Sequence, residues 1–384
     1  MNASRGIIPL LALAGFASMA SLRVTDAMLP ALSADFHRSV ADVAQNITVF
    51  ATAYGLTQLV HGPLGDRYGA LRVIGLASLA CALGTLGAAL AGSLPTLLLF
   101  RGLGGATAGA VIPLSMAWVG DHVPYERRQV TLVHMLSGTV MGLTAGQLAG
   151  GVLADTLGWR TAFFLLTGLF LLAGSLLLAA LRQRPELAPR SAEKRIEILT
   201  RVAGILTIPR ARRILLVVFL EGVAAFGALA FTASHLHASL GISLSLAGTT
   251  IALFGVGGLC FTALAHWLVV RLGEVGLAVG GGLLMALGFT GLALAPSSTL
   301  AMVAAFGTGM GFYMMHSTLQ TNATQMAPSA RGTAMAVFAG CLVLGQSVGV
   351  GLGGIVLPLS GSAGLLVGAA LWLFVLGLAF GRQL

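Results

Sequence analysis

The chain has 384 residues, of which 57% are hydrophobic and 9% charged. A water-soluble protein of this length needs far more charge to cover its surface, so soluble enzymes and binding modules are excluded and lipid is the expected solvent. The formal net charge of +9 does not indicate a nucleic-acid partner, because the basic residues gather on one side of the expected membrane.

A membrane-spanning helix needs about 20 apolar residues. Twelve runs meet that need, at 7–29, 44–64, 71–91, 95–119, 129–154, 160–181, 214–236, 246–270, 275–295, 297–321, 331–357 and 361–381. Their continuous apolarity favours helices over a barrel, whose strands alternate. In span 1, Arg5, an apolar run and Ala17-Ser18-Met19-Ala20 imitate a secretory signal. Its removal would leave an odd number of spans, so it is read as a retained helix. Of the 21 Lys and Arg residues, Arg38 and Arg160 fall outside, Arg23 and Arg101 fall within spans, and the rest fall inside. That asymmetry predicts cytoplasmic termini.

Between spans 6 and 7 lies a polar segment rich in arginine. Within it Ile196, Leu199, Val202, Ile205 and Leu206 recur near helical spacing, as in an amphipathic helix on the inner leaflet or a solvated linker. The expected organisation is an N-terminal six-helix bundle (1–181), a cytoplasmic basic linker (182–213) and a C-terminal six-helix bundle (214–384). The halves align. Gly69, Gly105, Pro124 and Arg127 match Gly273, Gly309, Pro328 and Arg331 at an offset of 204, and Gly142, Gly150 and Gly151 match Gly345, Gly353 and Gly354 at 203. Such parallel repeats place a substrate site near mid-membrane between the halves. The three cysteines, Cys81, Cys260 and Cys341, fall in spans and form neither a disulfide framework nor a metal spacing. No phosphate-binding loop or catalytic cluster appears, so neither an enzyme nor a cofactor is expected.

The turn between spans 2 and 3 reads Gly62-Pro63-Leu64-Gly65-Asp66-Arg67-Tyr68-Gly69-Ala70-Leu71-Arg72, with a worn copy at 266–273. It resembles the loop signature of the major facilitator superfamily. Span 4, with Arg101, Gly105 and Gly109, resembles that family's membrane-embedded arginine motif. Thr25-Asp26-Ala27-Met28-Leu29-Pro30-Ala31-Leu32 is similar to the acidic first-helix motif of its twelve-span drug–proton antiporters. Two positions depart from the antiporter pattern: Gln147 stands where proline is usual in span 5, and Gly104 where glutamine is frequent in span 4. The resemblance implies an all-α membrane fold of two pseudo-symmetric six-helix bundles. Gly62, Asp66, Arg67, Gly69 and Arg72 would then act as a conformational latch.

An ionised side chain at mid-bilayer costs about 2.5–3.5 kcal/mol on insertion scales, so each one needs a reason. Asp26 and Arg101 lie at similar depths and are expected to form the proton-coupling site, either paired with each other or with Arg23 in reach. Pro30 has no amide hydrogen for the Asp26 carbonyl, which would leave that oxygen free in a continuing helix. Neither Asp26 nor Arg101 has a charged counterpart in the repeat, so proton chemistry is assigned to the N-terminal half. Glu221 would line the cavity or pair with a base such as Arg213. The candidates for substrate contact are Tyr54, Gln58, Gln147, Glu221, Phe226, Tyr313, His316 and Gln346. Along span 5, Gly138, Gly142, Gly146 and Gly150 recur every four residues, a pattern for close helix packing.

The expected protein is a monomeric secondary transporter of the bacterial inner membrane, with lipid, protons and a small molecule as partners. It would export an amphipathic or drug-like molecule by proton antiport. The alternative is an uptake symporter or facilitator of a small metabolite, with Arg101 binding an anionic group.

Overall fold

The computed structural model describes residues 3–183 and 198–384, and among them there is no strand. The expected linker bases Arg184, Arg190, Lys194 and Arg195, and Ile196, lie outside the described residues. In chain order the helices are α1 (Ala3–Arg23), α2 (Leu29–Phe36), α3 (Val40–Tyr68), α4 (Ala70–Ala89), α5 (Leu94–Ala108), α6 (Val111–His122) and α7 (Tyr125–Thr156). They continue with α8 (Trp159–Gln183), α9 (Ile198–Thr207), α10 (Pro209–Glu221), α11 (Gly227–Leu240), α12 (Leu244–Ala293), α13 (Ser298–Gln325) and α14 (Arg331–Gly381).

Among the described residues, eight helical segments are long and apolar enough to cross a membrane, against twelve expected runs. The difference has two physical sources. The helices α12 and α14, of 50 and 51 residues, are each broken once, at Gly273 (φ 63°) and Gly361 (φ 68°). Positive φ is open to glycine at little cost, so each break is a tight turn inside one helical run. The helices α3 and α7 are long, 29 and 32 residues, but their polar residues keep them out of the eight. Spans 1, 4 and 7 are also less regular than expected. Span 1 divides into α1 and α2, span 4 into α5 and α6, and span 7 into α10 and α11 around a single π-helical turn, Gly222–Phe226.

The repeat seen in the sequence reappears in the helix starts. Ser39, Ser93, Ser243 and Ser297 each accept a hydrogen bond from the amide three residues on, capping α3, α5, α12 and α13. The pairs Ser39/Ser243 and Ser93/Ser297 are both 204 residues apart. Gly69 (φ 90°), between α3 and α4, is 204 residues before Gly273, the break in α12.

Helix contacts follow the same rule. Gly138, Gly142 and Gly146 of α7 face the carbonyl oxygens of Ala12, Phe16 and Ala20 on α1, one turn after another, and Gly150 faces that of Val24 just past its end. A Cβ at Gly146 would stand 2.6 Å from the Ala20 oxygen, closer than contact allows. Gly345 and Gly349 of α14 meet the carbonyls of Phe219 and Val223 in the same way. Gly105 faces the Phe50 carbonyl and Gly309 the Phe254 carbonyl, again 204 apart on both sides. Between lipid-solvated helices no hydrophobic driving force remains, so close backbone approach through small residues supplies the adhesion.

The two halves meet along two antiparallel helix pairs. The helix α3 runs against α14 from Ala41–Gly354 to Gln58–Gly340, and α7 against α12 from Gly151–Leu244 to Thr144–Gly255. Both pairs lie mainly toward the face opposite Ala3 and Leu384, here the distal face; the other is the terminal face.

Gly142→Leu should disrupt the α1–α7 contact, because the facing atoms are backbone and cannot swing away. Overpacking of this kind costs about 1–3 kcal/mol. A clear drop in the thermal unfolding midpoint of the detergent-purified protein is expected. Gly168→Leu should leave it unchanged, because a Cβ at this α8 glycine would meet nothing within 4 Å.

Candidate functional site

The helix α1 stops at Arg23 and α2 starts at Leu29, so Asp26 sits in a break rather than in a continuous helix. The turn is held by the Asp26 amide donating to the Arg23 carbonyl (3.2 Å) and the Met28 amide donating to that of Thr25 (3.3 Å). Pro30 falls in the first turn of α2, where its missing N–H is no loss. The interruption is therefore earlier than the expected span 7–29 allowed.

Asp26 is fully buried, and its ion partner is Arg23, at 3.5 Å between Nη1 and Oδ2. Arg101 does not pair with it. Arg101 Nη1 donates instead to the Ser21 carbonyl (2.9 Å), and the guanidinium lies 4.0 Å over the Phe50 ring. The reason is local. Arg23 is three residues from Asp26, on the same face of a helical turn. Arg101 reaches α1 one turn earlier, where a carbonyl and an aromatic face satisfy it. Its charge still acts on Asp26. Gln147 of α7 is buried and faces Asp26 but stops short of hydrogen-bond geometry. Both oxygens of Asp26, two nitrogens of Arg23 and two of Arg101 have no hydrogen-bond partner. This is a polar centre with spare capacity.

Arg23 also crosses to the second half, with its guanidinium 4.0 Å over the ring of Phe226. Arg23 and Phe226 are 203 residues apart, so positions equivalent by the repeat touch each other. From Phe226 an aromatic chain continues. Phe312 is 4.9 Å from it between ring centroids, and His316 stacks on Phe312 at 5.0 Å. Tyr313 lies against Phe254 and Phe312.

Glu221 closes this chain. It is fully buried at the end of α10, and His316 Nδ1 lies 2.8 Å from its Oε2. The expected alternative partner Arg213 is not used; Glu221 points across to α13 instead. Gln346 is buried on α14 beside the Gly222 backbone, with its Nε2 unpartnered. Tyr54 and Gln58 lie on α3 apart from Asp26. Tyr54 faces Ser18 and Gln58, while Gln58 Oε1 approaches Gly340.

At the terminal face the expected turn is mostly helical: Gly62, Asp66 and Arg67 lie in the last turns of α3, Gly69 alone separates the helices, and Arg72 lies in the first turn of α4. Asp66 makes no ion pair among the described residues; its charged neighbours are Asp121 and Arg201 of α9. Burial and Asp121 raise its carboxyl above the ordinary range, and Arg201 opposes them. The described part of the linker thus brings a base to this loop.

Of the two bases expected in reach of Asp26, Arg23 is the direct partner, a relation signalled by the i, i+3 spacing. Two further contacts lie outside the expected pairings. Phe50 seats Arg101, and no local signal marks it for that role. At the distal face Asp155, ending α7, accepts from Ser245 Oγ (2.7 Å) and the Ser245 amide (3.3 Å), tying α7 to the start of α12. On the other helix pair between the halves, Thr52 and Ser347 hydroxyls meet at 2.5 Å across α3 and α14.

Long apolar helices packed this way around a buried charged centre define a multi-pass membrane protein. The sequence model of the Major Facilitator Superfamily matches residues 11–350 and again 231–382. An uncharacterised MFS-type transporter of Bacillus subtilis, YceJ, is 26% identical over 91% of this chain and 89% of its own length. The multidrug export protein EmrB of Haemophilus influenzae is 28% identical over 40% of this chain and 30% of its own length. Among solved structures, an inward-facing bacterial homolog of the human lysosomal transporter Spinster superposes with a TM-score of 0.78 at 19% identity, covering 100% of this chain and 97% of that one. A D-xylose–proton symporter superposes at 0.73 and 18% identity, covering 96% of each. The chain belongs to the Major Facilitator Superfamily, and it is an integral, multi-pass membrane transporter.

The Asp155 contact has a pH consequence. Donation from Ser245 holds the Asp155 carboxyl below the ordinary carboxylate range. A group with a depressed value stabilises the form in which it is bonded above its free value, and that contribution is lost as the pH falls through the depressed value. Asp155→Asn should therefore lower the thermal midpoint of the purified protein at neutral pH. The gap from wild type should shrink progressively below about pH 4.

Proposed function

We propose that this protein exports a small amphipathic or drug-like molecule in exchange for protons, by alternating access of two six-helix bundles. The observation that carries this reading is Asp26. It is a fully buried carboxylate in a helix break, held at 3.5 Å by a single arginine, with neither oxygen hydrogen-bonded. A static structural pair would be expected to have its oxygens satisfied, since partly satisfied buried ions are costly. A carboxylate with open coordination can take up and release a proton as its surroundings change. Arg23 holds it directly, and Arg101 tunes it from the next turn.

The fold elements fit twelve spans. The eight apolar segments become ten when α12 and α14 are divided at Gly273 and Gly361, and α3 and α7 complete the set. The bundles comprise 1–181 and 214–384, with 182–213 as the cytoplasmic linker. Positive-inside asymmetry places both termini, and so the terminal face, in the cytoplasm of a bacterial cell. The contacts of α3 with α14 and α7 with α12 then close the outer side, and the Asp66 loop is the latch that engages when the inner side closes. Relatives described as multidrug export proteins support the direction outward. The proton is the coupling ion, a monomer is the working unit, and Gln147, Phe226, Tyr313 and Gln346 are cavity contacts.

The unpartnered donors of Arg101 and Arg23 favour one second reading, uptake of a metabolite carrying a carboxylate. Direction separates the two. In cells expressing the wild-type chain, accumulation of fluorescent amphiphiles such as ethidium should fall, whereas Asp26→Asn should raise it to the level of cells without the protein. Normal folding of that variant is checked by size-exclusion profile and thermal midpoint. Unchanged pH-gradient-driven efflux in Asp26→Asn would remove Asp26 from the mechanism.

A further inference from the structure

The second buried acid has no role in the reading above. Glu221 is fully buried, yet spans 7 to 12 contain no lysine or arginine other than Arg331 at the start of span 11. Among the described residues its charged or chargeable neighbour is His316, at 2.8 Å. This differs in kind from Asp26, which has two permanent cations near it. A buried carboxylate needs compensation, and here the compensating group is itself titratable. The pair's net charge changes by one with each proton it takes or gives.

The surroundings suit a proton site. Glu221 Oε1 has no hydrogen-bond partner and lies in a fully buried side chain. The residue directly precedes the π-helical turn Gly222–Phe226, and such bulges are frequent at functional sites. His316 is held flat against Phe312, with Phe338 on another side. That packing orients the imidazole while its side chain keeps 14% exposure, against none for Glu221. The elements packed around the pair add Tyr313 from α13, Gln346 from α14 and, beyond Phe226, Arg23 from α1. Of these, only Arg23 carries a permanent charge. The positions equivalent by the repeat, Ser18 and Ile112, are not ionisable, so the pair has no copy in the first half.

We propose that Glu221 and His316 form a second proton-carrying site, in the C-terminal half and independent of Asp26. With Glu221 ionised and His316 neutral, the Nδ1–H donates to Oε2. A proton from the open side binds Nε2, the Nδ1 proton passes to Glu221, and the pair is left as carboxylic acid and neutral imidazole. One proton is gained and none is lost, and the reverse steps release it. The proposal rests on the chain being a transporter, not on the role of Asp26 or on the direction of transport.

The test is read at His316 without any substrate. Histidine-labelled protein in detergent is titrated by NMR over about pH 5 to 8, in wild type, Glu221→Gln, His316→Gln and Asp26→Asn. The resonance lost in His316→Gln identifies His316. In wild type it should titrate and change tautomer, from Nδ1–H to Nε2–H, as the pair gains its proton. Glu221→Gln should shift the titration and remove the tautomer change, while Asp26→Asn should leave both in place. Infrared difference spectra between the pH limits should show a protonated carboxyl band in wild type that is missing from Glu221→Gln. A His316 signal that is invariant with pH, or a titration unaltered in Glu221→Gln, would overturn the proposal and leave the pair a fixed hydrogen bond. Should Glu221→Gln fail to fold, the infrared band is read against His316→Gln, where a neutral amide can still donate to the carboxylate. Persistence of the full band there would equally overturn the relay.

Discussion

Close approach of helix backbones is the constraint on which this structure depends. In lipid, side-chain burial earns no hydrophobic gain between helices, so adhesion comes from van der Waals contact at short range. The four glycines of α7 meet four carbonyls along α1 and just past its end, and this continuous contact brings α1 close enough for Gln147 to face Asp26. The same geometry in the second half sets α14 against α10 through Gly345 and Gly349, beside Glu221. Each buried acid thus lies next to a glycine-packed helix pair. Such a pair presents few side chains that would lock it in one register.

The charges are arranged differently on the two sides of this scaffold. Around Asp26 the cations are arginines, one bonded to it and one to the Ser21 carbonyl over Phe50. Their charge does not change with pH, so only the carboxylate can respond. Around Glu221 the partner is an imidazole, and both members can respond. The Arg23–Phe226–Phe312–His316 stack joins the two neighbourhoods through aromatic faces.

Much of the fold was legible in the sequence, because lipid imposes simple rules. Length and apolarity mark spans, and the offset near 204 marks the duplication, down to the serine caps and the glycine turns that the structure shares between halves. The breaks within spans 1, 4 and 7 were not legible. Pro30 and Pro113 hinted at two of them, but where each helix stops depends on which neighbour accepts the freed backbone groups. The π turn after Glu221 has no proline at all. For the site, Asp26, Arg101 and Glu221 stood out because a charge inside a span is expensive. Which of the candidate groups would pair was not legible, since Arg101 lies closer to a carbonyl than to the acid and Arg23 holds the acid instead.

The sequence alone determined the solvent, the helical class, the duplicated plan and the identity of the buried ionisable groups. These follow from one-dimensional patterns: apolar run length, repeat offset and the rarity of charge within a span. Only the tertiary structure decided that Asp26 is held by Arg23, that Arg101 rests on Phe50, that Glu221 meets His316, and that Asp155 ties α7 to α12. Each of those is a choice among several groups of suitable chemistry at similar depth. Helix rotation and the position of a break make that choice, and both are settled by packing between segments far apart in the chain.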